Sequence, residues 1–177
     1  NNLQTVASLL RLQARAEGVD PQKALGDSVN RILAIAAVHE ELTEHREDVV
    51  DLAELLARLR AMLVQGLVAG KQVTAELEPV ELAGQRATAL AVVFSELLSN
   101  ALEHGGDRIS IELSRDDADV LLVVADDGSG IGAGEDGTGM SIVRALVRDE
   151  LGGSLDLTTR PGRGTRFAFS LPLTVAT

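Results

Sequence analysis

The chain has 177 residues, with 16 Lys and Arg against 27 Asp and Glu, which gives a formal net charge of −11. A chain of this length buries one core of ordinary size, so three independent domains are excluded. Aromatic residues make up only 2 % of the chain, and this scarcity and the acidity argue against a nucleic-acid partner. The absence of cysteine excludes disulfides and thiolate metal sites. No apolar run approaches the roughly 20 residues that span a bilayer, so no membrane contact by this chain is expected.

Apolar residues in the first 45 positions follow the spacing of two helices. Gly18 suits the end of a helix, Asp20 an N-cap and Pro21 a first helical position, so residues 1–47 are predicted to form an antiparallel hairpin. Two helices cannot enclose their own apolar stripes, so we expect a homodimer through residues 1–47 that completes a four-helix bundle. The stripes consist of Leu3, Val6, Ala7 and Leu10 in the first helix and of Leu25, Val29, Ile32 and Ala36 in the second.

A change of pattern near residues 46–50 predicts a domain boundary, with a second domain over 48–177. Asp51 and Glu54 have the spacing of a capping box at the start of a third helix. The predicted fold class is α+β, in which the helical hairpin precedes an α/β sandwich whose helices cover one face of a mixed sheet. Helices are expected over about 51–68, 86–104 and 138–150, and strands over 72–78, 108–114, 120–125, 154–159 and 165–171.

The helix predicted over 86–104 carries a polar stripe. Glu96, Asn100 and His104 follow one another at intervals of four residues and therefore project from one side of the helix. A carboxylate and an amide one turn apart can hold a hydrated Mg²⁺, so Glu96 and Asn100 are candidate metal ligands. The alternative is a polar stripe that faces solvent and binds nothing.

A glycine-rich segment follows the most apolar predicted strand. Asp126 ends that strand, where its carboxylate can accept a hydrogen bond from an amino group such as that of adenine. Gly128 and Gly130 would let a flat ring approach the backbone. The alternative is an ordinary Asp-Gly turn after a strand.

The next helix is predicted to begin with Gly137, Thr138, Gly139 and Met140. Free amides at a helix N-terminus attract anions, so a di- or triphosphate could bind there. The alternative is a flexible loop joined to a capped helix.

In this order, the three motifs and a final Gly164-Thr165-x-Phe167 strand resemble the boxes of the GHKL (Bergerat-fold) ATPases, specifically the catalytic domain of sensor histidine kinases. The resemblance covers residues 51–173. It implies that Asn100 coordinates Mg²⁺ between the phosphates of ATP and that Glu96 is a base. It also implies that Asp126 binds the adenine amino group, with support from Thr165. The other nucleotide-binding residues that it implies are His104, Gly128, Gly130, Ile131, Gly137, Thr138, Gly139 and Met140.

The first 13 residues resemble the dimerisation helix of a histidine-kinase subfamily whose phosphoacceptor motif reads His-Arg-Val-Lys-Asn-Asn-Leu-Gln. The resemblance places the acceptor histidine four residues before Asn1, outside this sequence, and none of His39, His45 and His104 is an obvious substitute. Asn1 stands one turn after that histidine, at an offset where many sensor kinases carry a phosphatase residue. The implied partner is the receiver domain of a response regulator, and the need for ATP implies a cytoplasmic location.

The predicted reaction is phosphoryl transfer from Mg·ATP to a histidine and then to an aspartate of the regulator. The sequence departs from the family at the ATP lid, because only residues 132–136 separate Ile131 from Gly137. A short lid leaves fewer groups to close over the phosphates. Two alternatives are an anti-sigma-type serine kinase, which would leave residues 1–45 without a role, and a dimerisation scaffold that only senses nucleotide.

Overall fold

The computed structural model of the chain describes residues 20–45, 48–65, 70–130, 138–160 and 162–173. The first predicted helix lies outside these ranges, so the structure describes only the second helix of the expected hairpin. The described elements, in chain order, are α1 (Pro21–His45), β1 (Val49–Asp51), α2 (Leu52–Val64), β2 (Gln72–Leu77), β3 (Glu81–Ala83), α3 (Gly84–His104), β4 (Arg108–Asp116), β5 (Asp119–Asp126), α4 (Thr138–Asp149), β6 (Ser154–Arg160) and β7 (Gly164–Pro172).

Two helices begin where their capping residues predict. α1 starts at Pro21, and the amide of Gln22 donates a 3.0 Å hydrogen bond to Asp20 Oδ1. Asp51 caps α2 and accepts from the amide of Ala53 at 2.8 Å. Each cap satisfies an amide that the first helical turn leaves without a partner. The predicted starts are confirmed, whereas α2 ends at Val64 instead of near residue 68.

The five long strands form one mixed sheet in the order β2-β4-β5-β7-β6. β2 pairs with β4 in parallel, and every other neighbouring pair in this sheet is antiparallel. The mixed sheet is therefore confirmed. A separate two-stranded ribbon of β1 and β3 was not predicted, because strands of three residues are too short to show an alternating pattern.

The core lies between one face of this sheet and the helices α2, α3 and α4. Phe94 of α3 and Phe167 and Phe169 of β7 are among its largest fully buried side chains. The outer face is more open, since Leu121 and Ala125 of β5 are only half-buried there. The continuously apolar strand β5 is therefore covered more completely on its helical face than on its outer face.

α1 packs along the whole of α3 in the opposite direction. Lys23, near its start, lies beside Glu103, whereas Leu42, near its end, lies against Gly84. The predicted seam residues Leu25 and Ile32 point away from α3 and are exposed. The domain boundary near residues 46–50 remains a prediction. Within the described ranges, no helix combines the length and the apolar character needed to cross a membrane.

Candidate functional site

The polar stripe of α3 spans three environments. Glu96 is buried, with 6 % of its surface exposed, Asn100 is half-buried and His104 is exposed. The alternative of a solvent-facing stripe is therefore wrong for Glu96. His104 projects toward the start of α1, where its Nε2 lies 3.3 Å from Lys23 Nζ.

Glu96 lies where three helices meet. The Nε of Arg31, on α1, donates a hydrogen bond to Glu96 Oε1, and both side chains are buried. The other oxygen, Oε2, lies against Gly139 of α4, where an added Cβ would clash with it. Burial raises the pKa of the Glu96 carboxyl above its ordinary value, and the hydrogen bond from Arg31 opposes part of that rise. The spacing of motifs could not reveal Arg31, because it is 65 residues away in sequence.

Asp126 is held at the end of β5 by its own turn. Its Oδ1 accepts a 2.8 Å hydrogen bond from the amide of Gly128. A Cβ on Gly105, directly after α3, would come within 2.9 Å of Asp126 Cγ, and a Cβ on Gly164 would collide with the Asp126 carbonyl. Glycine at both positions therefore lets the backbone close around this carboxylate. This packing was not predicted, although the Gly105-Gly106 pair at the end of α3 is a sequence signal for a close approach of the backbone.

Thr165 lies next to Asp126 in the sheet. The antiparallel register pairs Ala125 with Arg166, so one further step along each strand brings Thr165 opposite Asp126. Thr165 is buried, as the helical side of the sheet requires. The structure thus brings together the two residues that the resemblance assigns to adenine.

The structure describes only some of the remaining residues that were predicted to contact the nucleotide. Gly130 has a φ of +86°, and a Cβ there would lie 2.7 Å from Thr159 Oγ1. α4 begins at Thr138, with Gly139 and a buried Met140 in its first turn. The predictions for Asn1, Ile131 and Gly137 concern residues outside the described ranges.

The described residues include no cluster of three or more His, Asp or Glu side chains that could hold a metal ion. A magnesium ion that arrives with a nucleotide needs few protein ligands besides phosphate oxygens and water. The half-buried amide of Asn100 fits such a role. The role of Glu96 as a metal ligand remains a prediction, and in this structure one oxygen of its carboxylate accepts a hydrogen bond from Arg31.

A shallow cavity of about 400 Å³ lies at the same end of the sheet, mainly on its outer face. Thr74, Arg108, Ser110 and Asp127 are among its lining residues. Of the predicted nucleotide-binding residues that the structure describes, only Asp126 contributes to it. The cavity and the predicted nucleotide site therefore share Asp126, and the cavity extends from it along the outer face of the sheet.

Two family models match the chain. The model of histidine kinase-, DNA gyrase B- and HSP90-like ATPases matches residues 85–175, and a histidine kinase model matches residues 1–67. The first match covers the elements that carry Glu96, Asn100, Asp126 and Thr165. The second covers the predicted hairpin and α2.

Curated relatives agree with these matches. The sensor histidine kinase PdtaS of Mycobacterium tuberculosis is 37 % identical over 189 residues, which cover 98 % of this chain and 37 % of the relative. Blue-light-activated histidine kinase 2 of Erythrobacter litoralis is 30 % identical over 193 residues, 98 % of this chain and 54 % of that protein. The chain thus spans between about a third and a little over half the length of these relatives.

Solved structures show the same fold. The histidine kinase domain of the Erythrobacter litoralis EL346 blue-light activated kinase superposes with a TM-score of 0.76 at 21 % identity, over 97 % of this chain and 94 % of that domain. A mycobacterial sensor histidine kinase, MprB, superposes with a TM-score of 0.60 over 70 % of this chain and 95 % of that chain, also at 21 % identity. Together with the family models, these likenesses show that the chain belongs to the sensor histidine kinases and is a catalytic core that carries their GHKL ATPase domain.

Proposed function

We propose that this chain binds Mg·ATP and transfers the γ-phosphoryl group to a histidine of the dimerisation helix, from which it passes to an aspartate of a response regulator. The observation that carries the proposal is the constellation around α3. Asp126 and Thr165 meet beside its C-terminal end, and the first turn of α4 packs against Glu96 of the same helix. One helix thus connects the expected base-binding end of the site to the expected phosphate-binding end.

Each residue has a positioning role in this proposal. Asp126 accepts a hydrogen bond from the adenine amino group. Its carboxylate is held in place by the amide of Gly128, which donates to Oδ1. Amides in the first turn of α4 hold phosphate oxygens. Asn100 holds the magnesium ion, which when bound neutralises part of the phosphate charge. Phosphoryl transfer needs little covalent chemistry from the protein, so such positioning accounts for most of the catalysis.

The transfer needs a histidine that this sequence does not include. The resemblance places it four residues before Asn1, and Glu96 would polarise its imidazole for attack on the γ-phosphorus. Asn1 itself is proposed to orient water during dephosphorylation of the regulator. A longer protein with Asn1→Ala that still dephosphorylates its regulator fully would contradict that role.

The partners follow from the same proposal. Residues 1–47 form the homodimer, a receiver domain docks on it, and the use of ATP places this domain in the cytoplasm. The serine-kinase alternative is not supported, because the histidine kinase model matches residues 1–67, which include the residues 1–45 that this alternative leaves without a role. The phosphoryl-transfer experiment below distinguishes the proposed kinase from a scaffold that only senses nucleotide.

The first test is calorimetric titration of ATP with and without Mg²⁺. Asp126→Asn keeps an oxygen for the Gly128 amide but presents an NH₂ group toward the adenine NH₂, so we expect ATP affinity to fall at least tenfold. Asp127→Asn is the matched control, because the neighbouring carboxylate accepts from the Arg108 amide and lines the outer cavity. Equal binding by wild type and Asp126→Asn would contradict the adenine role.

The second test measures phosphohistidine formation by a protein extended at its N-terminus to include the expected acceptor. Asn100→Ala should abolish transfer, because the metal and phosphates lose their protein ligand. The variant should retain its dimer and its fold, which sedimentation and circular dichroism would verify. Full activity in Asn100→Ala would contradict the metal role, and binding without any transfer in the wild type would favour the scaffold.

A further inference from the structure

The interface between α1 and α3 is centred on the proposed base. Asn30 Nδ2 of α1 lies 3.4 Å from Ser99 Oγ of α3. One residue further along α1, Arg31 bonds to Glu96. The contact continues with Ala34 and other buried apolar side chains of α1, so it is a packed interface.

Glu96 has no room for a substrate in this arrangement. One carboxylate oxygen is bonded to Arg31, and the other lies against Gly139. Arg31 and Glu96 expose only 3 % and 6 % of their surfaces. A base must come within about 3 Å of the group whose proton it attracts, so no imidazole can reach Glu96 while α1 stays in place.

We infer that α1 is a latch that covers Glu96 in the resting protein, and that Arg31 holds this latch closed until α1 is released for phosphoryl transfer. The inference rests on the proposed function, in which Glu96 acts on the acceptor histidine. Arg31 is a positioning residue here, because it acts through Glu96 and competes with the imidazole for the same carboxylate.

The buried ion pair explains why one residue can control the latch. When α1 is docked, the two charges need each other, because an unpaired charge in a dry interface is strongly unfavourable. When α1 is released, water solvates both charges. Removing the charge of Arg31 therefore penalises only the docked arrangement and shifts the population toward the released one.

Arg31→Met tests the latch in the extended protein, because Met keeps most of the length of the side chain and removes the charge. We expect the initial rate of phosphohistidine formation from Mg·ATP to rise at least tenfold. Lys23→Met is the matched control: its ion pair with Glu103 lies at the exposed end of the same interface, so the rate should change less than twofold. An unchanged rate in Arg31→Met would overturn the latch, and a lower rate would show that Arg31 assists the transfer instead.

A reversible cross-link provides a test that does not remove the ion pair. The chain has no cysteine, so Asn30→Cys and Ser99→Cys introduce two unique thiols on facing helices. Bridging them with a short bis-thiosulfonate reagent should reduce phosphohistidine formation at least tenfold, and a reductant should restore it. The two single variants, treated in the same way, control for modification alone. Full activity of the bridged protein would overturn the inference.

Thiol labelling separates a failure of the latch from a failure of the proposed function. If neither the extended wild-type protein nor any of its variants forms phosphohistidine, the proposed function is contradicted. The labelling rate of Ser99→Cys would still report on α1, because that position lies under the docked helix. If adding Arg31→Met to the Ser99→Cys variant raises its labelling rate at least fivefold, the latch is supported. An unchanged labelling rate overturns it.

Discussion

Glu96 shows how burial changes the chemistry of a single carboxyl group. Its pKa is raised chiefly because burial disfavours the charged form, and Asp27 and Glu103 add further negative charge nearby. The hydrogen bond and the positive charge of Arg31 act in the opposite direction. Because burial is the main cause, the raised pKa belongs to the docked arrangement, and solvation of Glu96 on release of α1 would bring the pKa back toward its ordinary value.

The raised pKa predicts a specific pH dependence of stability. The folded protein holds the Glu96 proton more tightly than the unfolded chain, whose ordinary value is 4.5. This stabilising contribution is complete below that value and is lost as the pH rises through the folded pKa. Glu96→Gln has no such titration, so the difference in unfolding free energy, Glu96→Gln minus wild type, should increase as the pH rises from 4.5 to 8.

Urea unfolding at several pH values measures this difference. Glu112→Gln is a suitable control, because it removes one negative charge from an exposed position on the outer face of the sheet. A difference for Glu96→Gln that stays constant or decreases with rising pH would contradict a raised pKa of the Glu96 carboxyl group in the folded protein.

At the scale of elements, Arg86 joins the start of α3 to the ends of β7 and α4. Its guanidinium, at the start of α3, donates to the carbonyls of Leu173 at 2.9 Å, Pro172 at 2.5 Å and Leu151 at 3.0 Å. These carbonyls follow the ends of β7 and α4, where regular pairing stops. Arg86 thus provides the hydrogen bonds that the two terminated elements lack.

Replacing Arg86 should therefore cost more than an ordinary surface substitution. Arg86→Met removes every donor, and we expect a loss of about 2–4 kcal/mol in the free energy of unfolding in urea. Arg86→Lys keeps the charge but cannot reach three carbonyls at once, so its loss should be intermediate. The exposed Arg166→Met should change stability by less than about 0.5 kcal/mol. Arg86→Met as stable as the wild type would mean that water replaces the guanidinium without cost.

The sequence predicted elements best where their signals are local. Asp20, Pro21 and Asp51 mark helix starts through contacts with residues two or three positions away, so spacing alone is enough. The strands follow from alternation in the same way. The pairing of Arg31 with Glu96 depends on how α1 docks on α3 over a distance of 65 residues, and no local pattern encodes that. The candidate site was predictable as a set of motifs, whereas its closure by α1 was not.

At the scale of the whole molecule, α1 has two apolar faces. One contains Ala34 and Val38, which are fully buried against the catalytic domain. The other contains Leu25, Val29 and Ile32, which are 66 %, 45 % and 48 % exposed in the described part of the chain. A helix that is apolar on two sides needs a second partner, and the spacing of the exposed stripe is that of a helical-bundle seam.

This stripe predicts that Ile32→Glu disrupts the dimer and leaves the catalytic domain folded. A buried carboxylate in the seam of a bundle would be unpaired, so the dissociation constant measured by sedimentation equilibrium should rise at least a hundredfold. Gln22→Glu adds the same charge at an exposed position on the same helix and should leave the dissociation constant within a few-fold of wild type. ATP binding by Ile32→Glu should persist, because the side chain points away from α3. A variant that remains dimeric would place the interface elsewhere, and one that loses ATP binding would show that the seam and the nucleotide site are coupled through α1.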